Sequence, residues 1–228
     1  MVAIIGGGPS GSYLAYLLAQ HGMDVSVFEE HGSIGKPVQC TGLVTSAIDE
    51  LLSLPEDVVV NKIRKVKVIA PNGVEAEFYL HRSNYVLDRK KFDYYIAQLA
   101  QDAGAKYYLK KRFNNFKDGT VVFDDCTRVY ADYLVGADGP FSTVAQRCGM
   151  FHNRRFMTGM QARVKGEFIS DVFIVFLGHG YFGWSVPENE HYSRVGVIAS
   201  SEKPKPYFDS VLKRINCSII EYQSGLIP

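Results

Sequence analysis

The first thirty residues alternate between apolar runs and a helical pattern. Residues 2–5 and 25–28 are short apolar runs, which predict two buried strands. Residues 9–21 between them have apolar side chains at helical spacing, which predict a helix. Its apolar positions are Leu14, Leu17 and Leu18. This order of strand, tight turn, helix and strand is typical of the first unit of a doubly wound parallel sheet.

The next part of the chain mixes hairpins with one long helix. Alternating residues predict a hairpin over 63–81, because a Pro-Asn-Gly turn divides it, and a second hairpin turns at 117–119. A helix is predicted over 89–103, and 133–135 predicts another buried strand. The buried stripe of that helix is predicted to be Phe92, Ile96 and Leu99.

After residue 149 the pattern becomes that of consecutive strands, followed by a helix over 207–215. We expect the strands to form an antiparallel meander. They are predicted at 157–165, 171–177, 181–187 and 192–199. The expected fold class is therefore α/β, with a nucleotide-type domain over 1–150 and a substrate-binding β-sheet domain over 151–228. The hairpin 63–81 is expected to join the second sheet.

Composition narrows the classes of protein. The chain has 228 residues, 25 Lys and Arg against 24 Asp and Glu, and 46% hydrophobic residues, which indicate a globular protein with no basic excess for nucleic acid. The longest apolar run near the middle, 172–177, is far below the roughly 20 residues of a membrane span. Four scattered cysteines and the absence of a leader pattern at the start indicate a reduced, cytoplasmic protein without a metal site.

A glycine-rich turn follows the first strand. In this turn Gly6 permits the tight bend, Gly8 lets the backbone approach a pyrophosphate, and Gly11 lets the helix pack closely on the strand. Glu29 follows the second strand, where an acid can hold a ribose hydroxyl. The sequence therefore predicts a dinucleotide site. Its predicted residues in the turn are Gly6, Gly8, Pro9, Ser10 and Gly11.

A second nucleotide signal lies at 136–144, where the chain has the sequence GADGPFSTV. This string resembles the second FAD motif of flavoprotein hydroxylases and their relatives, which implies that Asp138 and Gly139 lie near the cofactor. The segment LDRKKFD at 87–93 resembles a further segment of that group and implies that Arg89 reaches the cofactor. The expected cofactor is FAD, bound by a Rossmann-like domain of the hydroxylase or glutathione-reductase-2 type.

The most specific resemblance lies at 35–44, GKPVQCTGLV, which is similar to the PVQCxGLVS segment of the geranylgeranyl reductase family and of its archaeal digeranylgeranylglycerophospholipid reductases. The segments YFGWSVP at 181–187 and SGLIP at 224–228 also match that family. The resemblance implies an FAD-dependent oxidoreductase that reduces the carbon–carbon double bonds of geranylgeranyl chains in archaeal membrane lipid synthesis.

The resemblance also implies roles for residues. Gln39 and Cys40 should lie by the flavin, where Cys40 either donates a proton or shapes the pocket, and Phe182 and Trp184 should line the prenyl site. The expected substrate is a prenylated glycerophospholipid, collected at the membrane face by a peripheral protein. The electron donor stays open between NAD(P)H and ferredoxin.

The family continues beyond the segment at 224–228 with a third FAD motif. We therefore expect an N-terminal portion of a reductase, with a second chain as one way to complete it. Two alternatives stay open: an FAD-dependent aromatic hydroxylase, and a non-catalytic half of a split reductase.

Overall fold

The chain folds into strands and helices that alternate along most of its length. The computed structural model describes residues 1–38, 40–153, 155–200 and 203–227, with the backbone alone at 224–226. The strands are β1 (Val2–Ile5), β2 (Val25–Phe28), β3 (Leu43–Val44), β4 (Val59–Ile69), β5 (Glu75–Leu87), β6 (Lys106–Tyr108), β7 (Phe113–Lys117), β8 (Thr120–Phe123), β9 (Arg128–Tyr130), β10 (Tyr133–Gly136), β11 (Met157–Lys165), β12 (Val172–Gly178), β13 (Tyr181–Pro187), β14 (Tyr192–Ala199) and β15 (Ser218–Ile227). The helices are α1 (Pro9–Gln20), α2 (Arg89–Asp102), α3 (Thr143–Arg147) and α4 (Lys205–Ile215), with a 3₁₀ helix at Ser46–Glu50.

Two compact units share these elements. The first unit combines Met1–Pro37 with Lys90–Arg154, and the second combines Val38–Arg89 with Arg155–Pro228. The predicted hairpin 63–81 is only part of the segment Val38–Arg89 that belongs to the second unit. Strands β4 and β5 extend beyond that hairpin, and β3 pairs with β5.

The first unit is built on a parallel sheet with the strand order β10-β1-β2-β6. All four residues of both β1 and β2 are buried, as expected for strands covered on both faces. Helix α1 buries its small side chains, which are Gly11, Ser12, Ala15 and Ala19. Of the leucines at helical spacing, Leu14 and Leu18 pack against this core as partly buried side chains, whereas Leu17 is exposed. Small side chains let the helix backbone pack close to the sheet, which larger leucines would prevent.

A three-stranded antiparallel sheet, β7-β8-β9, completes the first unit. Its hairpin turns through Asp118 and Gly119, both with positive φ, as the sequence predicted. Phe113, Val121 and Phe123 pack with Phe28 in a common buried cluster.

The second unit is an eight-stranded sheet with the order β15-β11-β14-β13-β12-β4-β5-β3. The predicted meander is correct for β12, β13 and β14, but β11 pairs with β14 and β15 instead of β12. Strand β12 pairs in parallel with β4. Helix α4 packs Phe208 and Val211 on one face of this sheet, against Val195 and Val197. The opposite face carries the polar and aromatic residues described below.

Candidate cofactor and ligand sites

The glycine-rich turn of the first unit is closed to side chains at two positions and open at a third. A Cβ atom on Gly6 would lie 2.2 Å from the Ala137 carbonyl oxygen, and one on Gly11 would lie 2.0 Å from the Gly6 carbonyl oxygen. Gly8 caps α1 and has no atom within 4 Å of its Cβ position. Pro9 is the first residue of α1, and Ser10 is exposed beside it. The open backbone at a helix N-terminus can accept an anion.

Glu29 closes the other side of this turn. Its Oε2 accepts a hydrogen bond from the Gly7 amide at 2.7 Å, and its Oε1 accepts one from the His31 amide at 2.9 Å. The same Oε1 lies 2.5 Å from the His31 Nδ1. A carboxylate has about four acceptor sites, so Glu29 can still accept from a ligand hydroxyl. Its neighbour Glu30 is exposed and lies 3.5 Å from the Arg112 Nε.

Asp138 has a buried oxygen atom without a protein partner. Its Oδ2 accepts a hydrogen bond from the Val144 amide at 3.1 Å, whereas its Oδ1 has none among the described residues. The adjoining Gly139 has φ +81°. Because β10 pairs in parallel with β1, the Asp138 segment lies at the same sheet edge as the glycine-rich turn. A buried unpaired carboxylate oxygen is costly, so this atom fits a ligand that donates a hydrogen bond.

The second unit contains an apolar cavity of about 500 Å³. Three residues predicted from the sequence line it together: Cys40, Phe182 and Trp184. The rings of Phe182 and Trp184 have centroids 5.5 Å apart. Cys40 is the one titratable side chain among the described lining residues. Gln39, which was predicted to bind the cofactor, lies outside the described residues.

One row of residues across four strands builds the cavity wall. Strand register places Gln223 of β15 opposite Gln161 of β11, Gln161 opposite Gly196 of β14, and Gly196 opposite Trp184 of β13. A Cβ atom on Gly196 would lie 2.3 Å from the Trp184 Cζ2 atom. The indole therefore occupies the space above Gly196 and reaches the residue beyond it.

A chain of hydrogen bonds connects this row to the loop after Cys40. The Gln161 Oε1 accepts from the Trp184 Nε1 at 3.3 Å and from the Thr41 hydroxyl at 2.5 Å. The Gln161 Nε2 donates to the Gln223 Oε1 at 2.6 Å. Gln161 is only 7% exposed, so these polar contacts compensate its burial in an apolar wall.

Arg194 holds the main chain of the same loop. Its Nη1 donates to the carbonyl oxygen of Thr41 and to that of Leu87, the latter at 2.9 Å. Its Nε pairs with Glu188 at 2.8 Å, and the Arg163 Nε binds the other Glu188 oxygen at 2.8 Å. These partly buried ion pairs orient Arg194, whose hydrogen bonds hold the backbone next to Cys40.

Arg89, the first residue of α2, lies at the other side of the loop. A Cβ atom placed on Gly42 would lie 3.2 Å from the Arg89 Cγ and 2.7 Å from the Leu87 carbonyl oxygen. Gly42 itself has φ +76°. Arg89 therefore packs on the loop in the second unit.

The structure thus places the predicted site residues in two groups. Those of the glycine-rich turn join Glu29, Asp138 and Gly139 in the first unit, whereas Cys40, Arg89, Phe182 and Trp184 lie in the second. Sequence reasoning missed Gln161, Gln223 and Arg194. The available signal was a glutamine or arginine inside a predicted strand, but the partners of these side chains depend on a register that spans four strands.

Two further properties concern the described residues only. No group of three or more His, Cys, Asp or Glu side chains in them could hold a metal ion. None of their helices has both the length and the apolar character that crossing a membrane requires.

Comparison with known proteins agrees with this geometry. Residues 4–41 match the model of the NAD(P)-binding Rossmann-like domain. An uncharacterized protein in the nifH2 5' region of Methanosarcina barkeri is 32% identical over 165 residues, which cover 65% of this chain and 87% of that protein. Digeranylgeranylglycerophospholipid reductase 1 of Methanococcoides burtonii is 27% identical, over 100% of this chain and 62% of the relative.

A solved structure extends the comparison to the whole fold. The geranylgeranyl bacteriochlorophyll reductase-like protein of Thermoplasma acidophilum has a TM-score of 0.87 and 22% identity, and the match covers 99% of this chain and 65% of that one. The fold and the glycine-rich turn define a Rossmann-type dinucleotide-binding protein with an added, mainly antiparallel sheet. Along its whole length the chain is similar to digeranylgeranylglycerophospholipid reductases. It spans less than two thirds of the length of the digeranylgeranylglycerophospholipid reductases that it matches.

Proposed function

We propose that this chain provides the FAD-binding and prenyl-binding parts of a reductase that saturates geranylgeranyl chains of archaeal ether-lipid precursors. One observation carries the proposal. In a chain similar to these reductases, Cys40, Phe182 and Trp184 line one apolar cavity, although Phe182 follows Cys40 by 142 positions in the sequence. A cavity of this size and character suits a hydrocarbon ligand better than a polar one.

The residues of the first unit fit FAD. The open backbone at Gly8 and the N-terminus of α1 would hold the pyrophosphate, and Glu29 would accept from a ribose hydroxyl. The unpartnered Asp138 Oδ1 would accept from a further hydroxyl of the cofactor. When bound and reduced, FAD supplies hydride to the substrate.

The residues of the second unit would bind and orient the alkene. An isolated carbon–carbon double bond is a poor hydride acceptor, so close positioning and exclusion of water must supply much of the rate. Phe182 and Trp184 offer aromatic surface to the chain. Cys40 carries the one titratable proton among the described lining residues, and it either delivers that proton or shapes the pocket.

The substrate we propose is a prenylated glycerophospholipid. Its chains are embedded in a bilayer, so the protein would collect them at the membrane face as a peripheral protein. The described helices do not span a membrane, and the apolar cavity offers the chain an environment similar to the one it leaves.

Flavin retention and reoxidation test the proposal. The purified chain is mixed with FAD, freed of excess and examined by absorbance. We expect a retained flavin band that dithionite bleaches and that a geranylgeranyl lipid restores without oxygen. Glu29→Gln should weaken FAD retention at least tenfold, because an amide nitrogen would replace one acceptor oxygen beside backbone donors. Glu30→Gln, its exposed neighbour, is the matched control.

The other outcomes separate the alternatives. Oxygen uptake with a phenol and no reoxidation by the lipid would indicate a hydroxylase. A retained flavin that no lipid reoxidises would indicate a half-protein that needs another chain. A folded wild-type chain that retains no flavin would contradict the assignment of the first unit.

A further inference from the structure

Hydrogen bonds in the cavity wall have a fixed direction. The indole nitrogen of Trp184 can only donate, so the Gln161 atom that faces it must be the carbonyl oxygen. The nitrogen of Gln161 then faces Gln223 and donates to its carbonyl oxygen. This order orients the Gln223 carboxamide without reference to any ligand.

The Gln223 amide nitrogen, at the end of this series of hydrogen bonds, has no acceptor among the described residues. Once the Gln223 oxygen accepts from Gln161, its amide nitrogen retains two N–H groups, and no described residue accepts from them. Gln223 is half-buried and lines the cavity. Phe173, Val186 and Ile198, which also line the cavity, are apolar and cannot accept a hydrogen bond.

We propose that the Gln223 amide binds an oxygen atom at the polar end of the prenyl ligand. The ligand class is an isoprenoid with an allylic or ether oxygen, as in a prenyl alcohol or a prenyl glyceryl ether. This inference rests on the proposed function, because it assumes that the cavity binds a prenyl chain.

The position of Gln223 would determine how the chain lies. Gln223 and Trp184 are three strand spacings apart, about 14 Å, in the same row. Fixing the oxygen at one end of this row would place the hydrocarbon along it, towards Phe182 and Trp184. Gln161 is a positioning residue in this arrangement, since it orients both the donor and the indole.

The test uses Trp184 as its probe, since it is the sole tryptophan of the chain. Its emission is recorded while the full chain is titrated with geranylgeraniol, with a geranylgeranyl glyceryl ether, and with a C20 isoprenoid hydrocarbon that lacks oxygen. Gln223→Met removes the donor at similar size. It should weaken binding of a ligand with an oxygen by about threefold to tenfold, the range for one hydrogen bond. Binding of the hydrocarbon should not change.

Two further variants keep the result interpretable. Gln223→Glu retains an oxygen for Gln161 but removes both N–H groups, so it should reproduce the loss if Gln223→Met unfolds the strand. Gln20→Met, at an exposed glutamine of α1, is the matched control. Comparison of the alcohol with the ether identifies which oxygen the amide recognises.

Equal weakening for the alcohol and the hydrocarbon, or no weakening for either oxygen-containing ligand, would overturn the inference while leaving the prenyl cavity intact. If no prenyl compound alters the emission of the wild-type chain, the proposed ligand class of the cavity fails as well.

Discussion

Gly196 is the position where one added methyl group should have the largest effect on the cavity. In Gly196→Ala the new Cβ would lie 2.3 Å from the Trp184 Cζ2 and 2.5 Å from its Cε2, with the Met160 carbonyl oxygen at 3.0 Å. Carbon atoms need about 3.5 Å, so the indole must withdraw by about 1 Å. Its hydrogen bond to Gln161 is already 3.3 Å long and would be lost.

The magnitude follows from these two effects. Overpacking costs about 1–3 kcal/mol and the lost hydrogen bond about 1 kcal/mol, so unfolding should become easier by about 2–4 kcal/mol. For a chain of this length each kcal/mol corresponds to about 2–4 °C in Tm, so we expect a fall of about 5–15 °C. The Trp184 emission should also shift towards that of a more hydrated indole.

Thermal unfolding followed by circular dichroism measures the effect. Gly166→Ala is the matched control, because its Cβ would approach no closer than 3.1 Å to any atom. A double-mutant cycle with Trp184→Phe identifies the cause: the phenyl ring lacks the two clashing atoms, so the double variant should recover most of the loss. A Tm for Gly196→Ala equal to wild type, or a cycle in which the two losses simply add, would refute the reasoning.

Two other predictions concern the partly buried side chains of Tyr107 and Arg194. Burial raises the pKa of Tyr107 to about 12 from an ordinary 10, so between these values the unfolded chain loses a proton that the folded chain keeps, and stability falls as pH rises above 10. In urea unfolding, Tyr107→Phe should be as stable as wild type at pH 8 and more stable by about 1 kcal/mol at pH 11. If both proteins lose the same free energy of unfolding between pH 8 and pH 11, the prediction is wrong. Arg194→Met should cost about 3 kcal/mol, because Glu188 loses one of its two partners and the carbonyls of Thr41 and Leu87 lose their donor. Hydrogen exchange should accelerate at residues 40–44 specifically, and unchanged exchange there would show that Arg194 does not hold the loop.

Local patterns were sufficient for the elements of the first unit. The apolar runs of β1 and β2 and the glycine-rich turn follow from short-range constraints, so both strands and the start of α1 were predicted from the sequence. The face of α1 was not. Its leucines have the stronger hydrophobic signal, yet the fully buried positions are the small residues Gly11, Ala15 and Ala19, while Leu14 and Leu18 are only partly buried against the same core.

Local sequence patterns could not predict which strands pair in the second unit. Alternation along β11 indicates that it is a strand, but the same pattern permits pairing with β12 or with β14. The cavity residues Cys40, Phe182 and Trp184 were found from a family resemblance. The residues that connect them, Gln161 and Gln223, become visible only when the register places both glutamines in one row.

The parallel pairing of β1 with β10 affects how the chain is made. Val2 pairs with Tyr133, so the strand synthesised near the start waits for a partner 131 residues later. At about 5–20 residues per second, translation leaves that side of β1 unpaired for on the order of ten seconds. During this interval the ribosome also produces all of residues 38–89, which belong to the other unit. The nascent chain therefore exposes an apolar strand edge, the kind of surface that chaperones shield, until β10 emerges and closes it.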